Sequence, residues 1–290
     1  MPIIKCVCRL ILSSNSFYTI GEMMQNLNRF SLKFLALICF AWSPLGFTDS
    51  ALKMAINNTD RNPAYTARDQ SRHPYETLSF FRINSSMNVL ELAAGGGWYT
   101  EILAPYLHDS GKLTVTHYNP DAGEYQKRSR DKYDSKVASN KLFRGVKVMT
   151  GDVPPKQPYA EPGSHDLVLT FRNLHNWYAR DAMKNVMDEA FNALKTGGYF
   201  GVVEHRAPEG SSVEFMKTSG YVTQSLAIQV AESAGFKLVD TSEINANPRD
   251  TKDYPKGVWT LPPSYRLKDE NKSTYQTIGE SDRMTLLFKK

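Results

Sequence analysis

From about Pro74 onward, apolar positions along the chain switch repeatedly between two periods. Runs in which every residue or every second residue is apolar read as strands, and stretches with apolar residues three and four apart read as helices. "PYETLSFFRI" puts Tyr75, Leu78 and Phe81 on one side of a short helix. "NVLELA" is a strand; after three glycines, the stripe Tyr99, Ile102, Leu103, Tyr106 and Leu107 predicts a helix, with Pro105 as an internal cost. "KLTVTHY" and "VKVMTGD" are the second and third strands, separated by a charged helical stretch from Ala122 to Asn140. "HDLVLTF" is nearly all apolar, as a strand covered on both faces has to be. In the following helix Met183, Val186, Met187, Ala190, Phe191 and Leu194 share a face, Asp181 is placed to cap the start and Gly197 to end it. "YFGVVEH" is a fifth strand, Thr223 to Ala234 a helix closed by Gly235, "FKLVDTS" a sixth strand and "RMTLLFKK" a seventh.

Strands alternating with helices imply right-handed crossovers, hence an α/β protein of three layers around a Rossmann-like, seven-stranded, mostly parallel sheet. No helix separates the sixth and seventh strands, so the last strand is expected to enter antiparallel. Between about residues 243 and 282 the alternation stops. "NANPRDTKDYPKGVWTLPPSY" reads as a long loop or hairpin, and its Trp259 and Tyr265 favour a lid over a site.

Composition changes the picture mainly at the N-terminus. Of 290 residues, 41% are hydrophobic and 22% charged, ordinary for a globular protein with a real core. Residues 1–50 read as a secretory leader: counted from Met23 or Met24, a basic start (Arg29, Lys33) precedes an apolar run from Phe34 to Trp42, with small residues and a cleavage region at Gly46–Ala51. That run is too short to span a bilayer. The expectation is therefore a leader over 1–50 and a single domain over 51–290, exported and periplasmic in a bacterial cell; the other reading keeps the leader and the protein in the cytoplasm. Cys6, Cys8 and Cys39 all fall in the leader, so a processed chain has no thiol for a disulfide, a nucleophile or a metal. Beyond it, 31 basic residues face 28 acidic ones, too mild a balance to imply nucleic-acid binding. Oligomeric state is not legible.

The three glycines at 95–97 stand where a strand enters a helix, a place where residues free to adopt positive φ let a nucleotide-like cofactor approach the main chain. A dinucleotide fingerprint would need a third glycine where Thr100 stands, and no Gly-Lys-Ser/Thr follows for a phosphate loop. The run Glu91-Leu-Ala-Ala-Gly95-Gly96-Gly97 instead resembles the class I S-adenosylmethionine-dependent methyltransferases. "RHPYETLSFFRI", "LELAAGGGWYTEILAPYL", "FRNLHNW" and "NPRD" are similar to a bacterial group of predicted methyltransferases with exported-type leaders. The resemblance implies S-adenosylmethionine as cofactor, with Glu91, Ala93, Gly95, Gly97 and Tyr99 around its methionine part and Asp152 near the adenine, and with Arg172 and Asn173 adjoining. Family members usually hold the ribose with an acidic residue at the end of the second strand; here His117 and Asn119 stand in that region.

Ligands in an open parallel sheet collect beyond the carboxyl ends of the strands. "RNLHNW" follows the fourth strand there, and Glu204-His205 follows the fifth. His175 is the candidate base, Asn173 and Asn176 the candidates for orienting an acceptor, Glu204 and His205 further catalytic candidates, and Trp177 a wall. No metal is expected, because His175, His205 and Glu204 lack the spacing of a metal motif. The function expected is methyl transfer to an unidentified acceptor, a small molecule or another, unknown one. One rival is a non-catalytic envelope scaffold keeping the fold; another, a nicotinamide oxidoreductase, is disfavoured by the missing glycine.

Overall fold

The structure, a computed structural model, describes residues 49–290. The leader expected over 1–50, with its three cysteines, lies outside the described residues but for its last two positions. Ser50–Lys290 form one compact unit.

All seven expected strands form: β1 (Asn88–Leu92), β2 (Lys112–His117), β3 (Lys147–Thr150), β4 (His165–Phe171), β5 (Leu194–Ala207), β7 (Lys237–Ser242) and β8 (Arg283–Lys289). A two-residue β6 (Val222–Thr223), too short to show a period, adds to β5. The order is β3-β2-β1-β4-β5-β8-β7. Among the described residues β8 alone runs antiparallel, against both β5 and β7, as expected; the expected absence of a helix before it is corrected, because a short helix, Lys272–Ile278, lies between β7 and β8.

The two-residue period of the strands divides the apolar side chains between two cores. Val89, Val115, Leu167, Leu169 and Leu287 face one side, covered by α1 (Ser50–Ile56), α4 (Pro74–Phe80) and α5 (Thr100–Leu107). Leu90, Leu92, Val168, Phe200, Val202 and Leu286 face the other, covered by α8 (Met183–Ala193) and α10 (Gln224–Ser233). The short helices α2 (Pro63–Thr66) and α3 (Asp69–Arg72) lead into α4; α6 (Glu124–Ser139) joins β2 to β3, α7 (Leu174–Tyr178) follows β4, α9 (Val213–Ser219) precedes β6 and α11 (Lys272–Ile278) precedes β8. The charged run of α6 is a solvated face, with Lys127–Asp131 and Arg130–Asp134 paired at 2.8 Å one turn apart. Among the described residues no helix is long and apolar enough to cross a membrane.

Three local expectations are corrected. Asp181 does not cap α8: it sits at φ 52° and pairs with Lys217 at 2.5 Å, while Ala182 takes the cap position without a side-chain bond. Gly197 does not end α8, because the helix stops at Ala193 and Leu194 already pairs with His165 of β4. The segment 243–282 is no hairpin; it packs through a short 3-10 turn (Gly257–Thr260) and α11, pinned where Asn245 Nδ2 donates to Thr77 and Thr285.

Candidate active site

Chain order reverses between β1 and β4, and a cleft opens beyond their carboxyl ends. Immediately past β1, Ala93 is held at φ 52° and Gly95 at φ 59°. Thr116 of β2 fixes this exit, its hydroxyl accepting from Ala93 N at 2.8 Å and its carbonyl from Ala94 N at 3.1 Å. Gly97 N is spent on Ala94 O, which narrows the backbone cradle to Gly95 and Gly96. A Cβ on Gly95 would meet nothing closer than Ala93 O at 4.0 Å, so its missing side chain leaves open space. Ala93, Gly95, His117, Asn173 and Trp177 line this cleft together, with Tyr159 and Val153 opposite.

Other expected cofactor residues lie elsewhere. Glu91 is turned into the core, where Thr100 Oγ1 donates to it at 2.7 Å; burial pushes its carboxyl up to about 8 against the pull of that hydrogen bond. Gly97 faces inward, its absent side chain making room for Phe143 and Tyr133. Tyr99 stacks on Phe171 with ring centres 3.4 Å apart. Asn119 caps a turn at Asp121 N and donates to Asp152 at 3.0 Å, leaving the neighbours of Asp152, Gly151 and Val153, on the cleft wall. Arg172 leaves β4 in the left-handed region, φ 61°, and lines a separate cavity. For Glu91, Gly97, Tyr99 and Asn119 a core contact or a neighbouring strand end claims the position first.

His117 takes on more than its sequence position implied. Its Nε2 is 3.0 Å from Gly95 O, which can only accept, so Nε2 carries the proton and Nδ1 keeps a lone pair. Nδ1 is buried with no protein partner, and burial lowers the ring's pKa, keeping it neutral. A neutral acceptor thus stands at the end of β2. Asn173 lines the same cleft but its Nδ2 lies within 3.3 Å of the Leu92, Ala93 and Phe171 carbonyls and of Thr170 Oγ1, clamping the ends of β1 and β4.

A second cavity adjoins, and Asn176 lines both. His175 and His205 form one wall; Trp259, Pro262 and Pro263 form another, so the 243–282 segment does wall a site, though Tyr265 instead meets Lys272. Glu204, fully buried on β5, accepts from His175 Nδ1 at 2.9 Å, from His175 N at 3.3 Å and from His205 N at 2.7 Å. That assigns the proton of His175 to Nδ1 and leaves Nε2 as a proton acceptor. His205 bonds Ser281 Oγ through Nδ1, and burial, then the nearby His175 and arginines, hold its pKa well below the usual value. The three side chains bring ligand atoms within 4.8 Å of one another, which their sequence spacing did not foretell. Arg172, Arg283 and Arg72 act on the His205 ring, and their positive charge opposes a metal dication beside it.

Comparison with known proteins bears on the cleft. Residues 90–202, from β1 into β5, match a family described as a methyltransferase domain. A S-adenosylmethionine-dependent methyltransferase from Aquifex aeolicus superposes with a TM-score of 0.50 at 18% identity, over 66% of this chain and 91% of that one. The (4+2)-cyclase SpnF superposes with 0.52 at 15% identity, over 76% and 80%. No curated protein matches in sequence. The core therefore has the fold of the S-adenosylmethionine-dependent methyltransferases, and its stretch 90–202 matches their domain family. The cleft fits S-adenosylmethionine on its own geometry: open space at Gly95, a backbone cradle, and a buried imidazole lone pair at the end of β2, able to accept from a hydroxyl.

Sequence reasoning missed Arg68, Glu280, Ser281 and Arg283, which meet at the second cavity or directly behind it. Arg68 and Glu280 are 212 residues apart and bond at 2.6 Å. No local period or motif marks such a pair.

Proposed function

We propose that the protein transfers the methyl group of S-adenosylmethionine to a small protic acceptor, with His175 removing the acceptor's proton. The cofactor supplies a methyl group bonded to a sulfonium, open to in-line attack. Ala93, Gly95 and Asn173 shape its cleft, His117 Nδ1 accepts a hydroxyl hydrogen bond, and Trp177 and Tyr159 exclude water. Asn176, common to both cavities, places acceptor against donor. His175 Nε2 takes the proton, while Glu204 holds the ring's tautomer and stabilises the imidazolium that results. The carrying observation is this buried, oriented pair on the wall of a cavity contiguous with the cofactor cleft. A non-catalytic scaffold has no use for it. We read residues 1–50 as an export leader and the group as bacterial, so the enzyme meets its cofactor before export or wherever cofactor is supplied.

The test is calorimetric titration of the full chain with S-adenosylmethionine and S-adenosylhomocysteine. Heat with both is expected, and its loss in Gly95→Val with the circular dichroism spectrum retained, since φ near +59° costs a branched residue roughly 1–2 kcal/mol and its side chain fills the open space. No heat with the parent chain ends this reading.

A further inference from the structure

The second cavity carries more positive charge than its protein partners can use. Arg68, Arg72 and Arg172 line it, and Arg283 stands behind. They share one carboxylate, Glu280, which bonds Arg68 Nε at 2.6 Å, Arg72 Nε at 3.1 Å and Arg283 Nη1 at 3.1 Å. Burial alone would raise the Glu280 pKa, but Arg72, Arg283, Arg68 and Arg172 together pull it down to about 2. The other carboxylate here, Glu204, is taken by His175 and the His205 amide. Four guanidinium groups thus face two carboxylates.

Three donors remain. Arg68 Nη2, Arg72 Nη1 and Arg172 Nη1 are buried without a protein partner, and Arg72 is only 3% exposed. A buried cationic donor left unpaired is costly, and a planar guanidinium fork is shaped for a carboxylate or phosphate. Placing three such donors in one cavity has a physical use if an anion completes them. Trp259, Pro262 and Pro263 supply an apolar part of the lining, and His175, held by Glu204, lies against Trp259 with ring centres 5.9 Å apart.

We propose that this cavity is the acceptor site and that the acceptor is a small oxyanion, its carboxylate or phosphate held by Arg68, Arg72 and Arg172 while its protic nucleophile reaches His175. The word acceptor rests on the methyl-transfer reading; the anion site does not. The same oxyanion chemistry has a second source, the amino-acid carboxylate of the cofactor.

The experiment titrates the full chain calorimetrically with citrate and with inorganic phosphate at fixed ionic strength, then with S-adenosylhomocysteine and with 5′-methylthioadenosine, which lacks the amino-acid part. Arg172→Gln and, at the more accessible end, Arg68→Gln are compared with Arg206→Gln, whose guanidinium is paired with Glu243 and Asp282 away from the cavity. Saturable binding of at least one anion is expected, weakened about tenfold or more in the two cavity variants and unchanged in Arg206→Gln, with S-adenosylhomocysteine affinity held within about twofold. Absence of anion binding to the parent chain, which needs no variant to fold, overturns the proposal. So does a tenfold loss for S-adenosylhomocysteine in both cavity variants with 5′-methylthioadenosine unaffected, because the arginines then serve the cofactor. Anion binding that depends on Arg172 in a chain that ignores S-adenosylhomocysteine sustains the oxyanion site while ending the methyl-transfer reading.

Discussion

His175 illustrates how much one side chain owes to its partner. An imidazole on a loop after a strand has two tautomers and free rotation; the buried Glu204 carboxylate removes both freedoms by accepting from Nδ1 and from the main chain beneath it. His175→Ala is expected to lower kcat by roughly a hundredfold or more, the usual size of a general-base contribution. Calorimetry with S-adenosylhomocysteine should show affinity unchanged within about twofold, since the ring lines the other cavity. An unaltered kcat removes His175 from the chemistry. The candidate was legible because a histidine directly after the fourth strand has to land at the ligand-binding edge. Its tautomer was not, because Glu204 comes from another strand 29 residues on.

The strand–glycine–helix junction assigns a different task to each of its glycines. Gly95 keeps the cleft open, whereas Gly97, at φ 82°, lets Phe143 and Tyr133 pack against the main chain. Gly97→Ala would place a Cβ 2.9 Å from Phe143 and 3.2 Å from Tyr133. Overpacking of this kind costs about 1–3 kcal/mol, which thermal unfolding should read as a fall in Tm of a few to about ten degrees. S-adenosylhomocysteine binding per folded molecule should survive, in contrast to Gly95→Val; an unshifted Tm would falsify the packing role. From sequence, the three glycines were equivalent, since what they face comes from distant segments: Tyr65 beside Gly96, and Tyr133 and Phe143 beside Gly97. The strands themselves were readable one by one, because burial on both faces demands near-continuous apolar runs. Asp181 and Gly197 misled for the complementary reason: Lys217 and the early pairing of Leu194 with β4 outbid local capping preferences.

Two buried carboxylates contribute to the pH dependence of the fold with opposite signs. Glu280 has a depressed folded pKa, about 2 against 4.5, so its contribution is present above about pH 4.5 and is lost as pH falls toward 2. Glu91 has a raised one, about 8, so native protein binds a proton that the unfolded chain gives up. Its contribution is full below about pH 4.5 and is lost as pH rises to 8. At about 1.4 kcal/mol per pKa unit each is worth roughly 3–5 kcal/mol. Denaturant unfolding of wild type and of Glu91→Gln, which keeps an acceptor for Thr100, should therefore differ in a pH-dependent way, the variant gaining relative to wild type as pH rises from about 5 to 8. A difference that stays constant over that range contradicts the assignment. Such buried charges are invisible in a composition that reads as mildly basic and ordinary.

Periodicity and the placement of glycines were sufficient for the layers, the strand count along the main path, the antiparallel last strand and the edge where the cleft opens, because these follow from covering apolar faces and turning the chain, both local demands. Which expected residues reach the cleft, and the gathering of Arg68, Arg72, Arg172 and Arg283 around Glu280, came from packing alone. Electrostatic partners more than 200 residues apart obey no period; they meet because the segment before β8 folds back onto α3, and charge at short range between largely buried groups outweighs anything their neighbours in sequence prescribe.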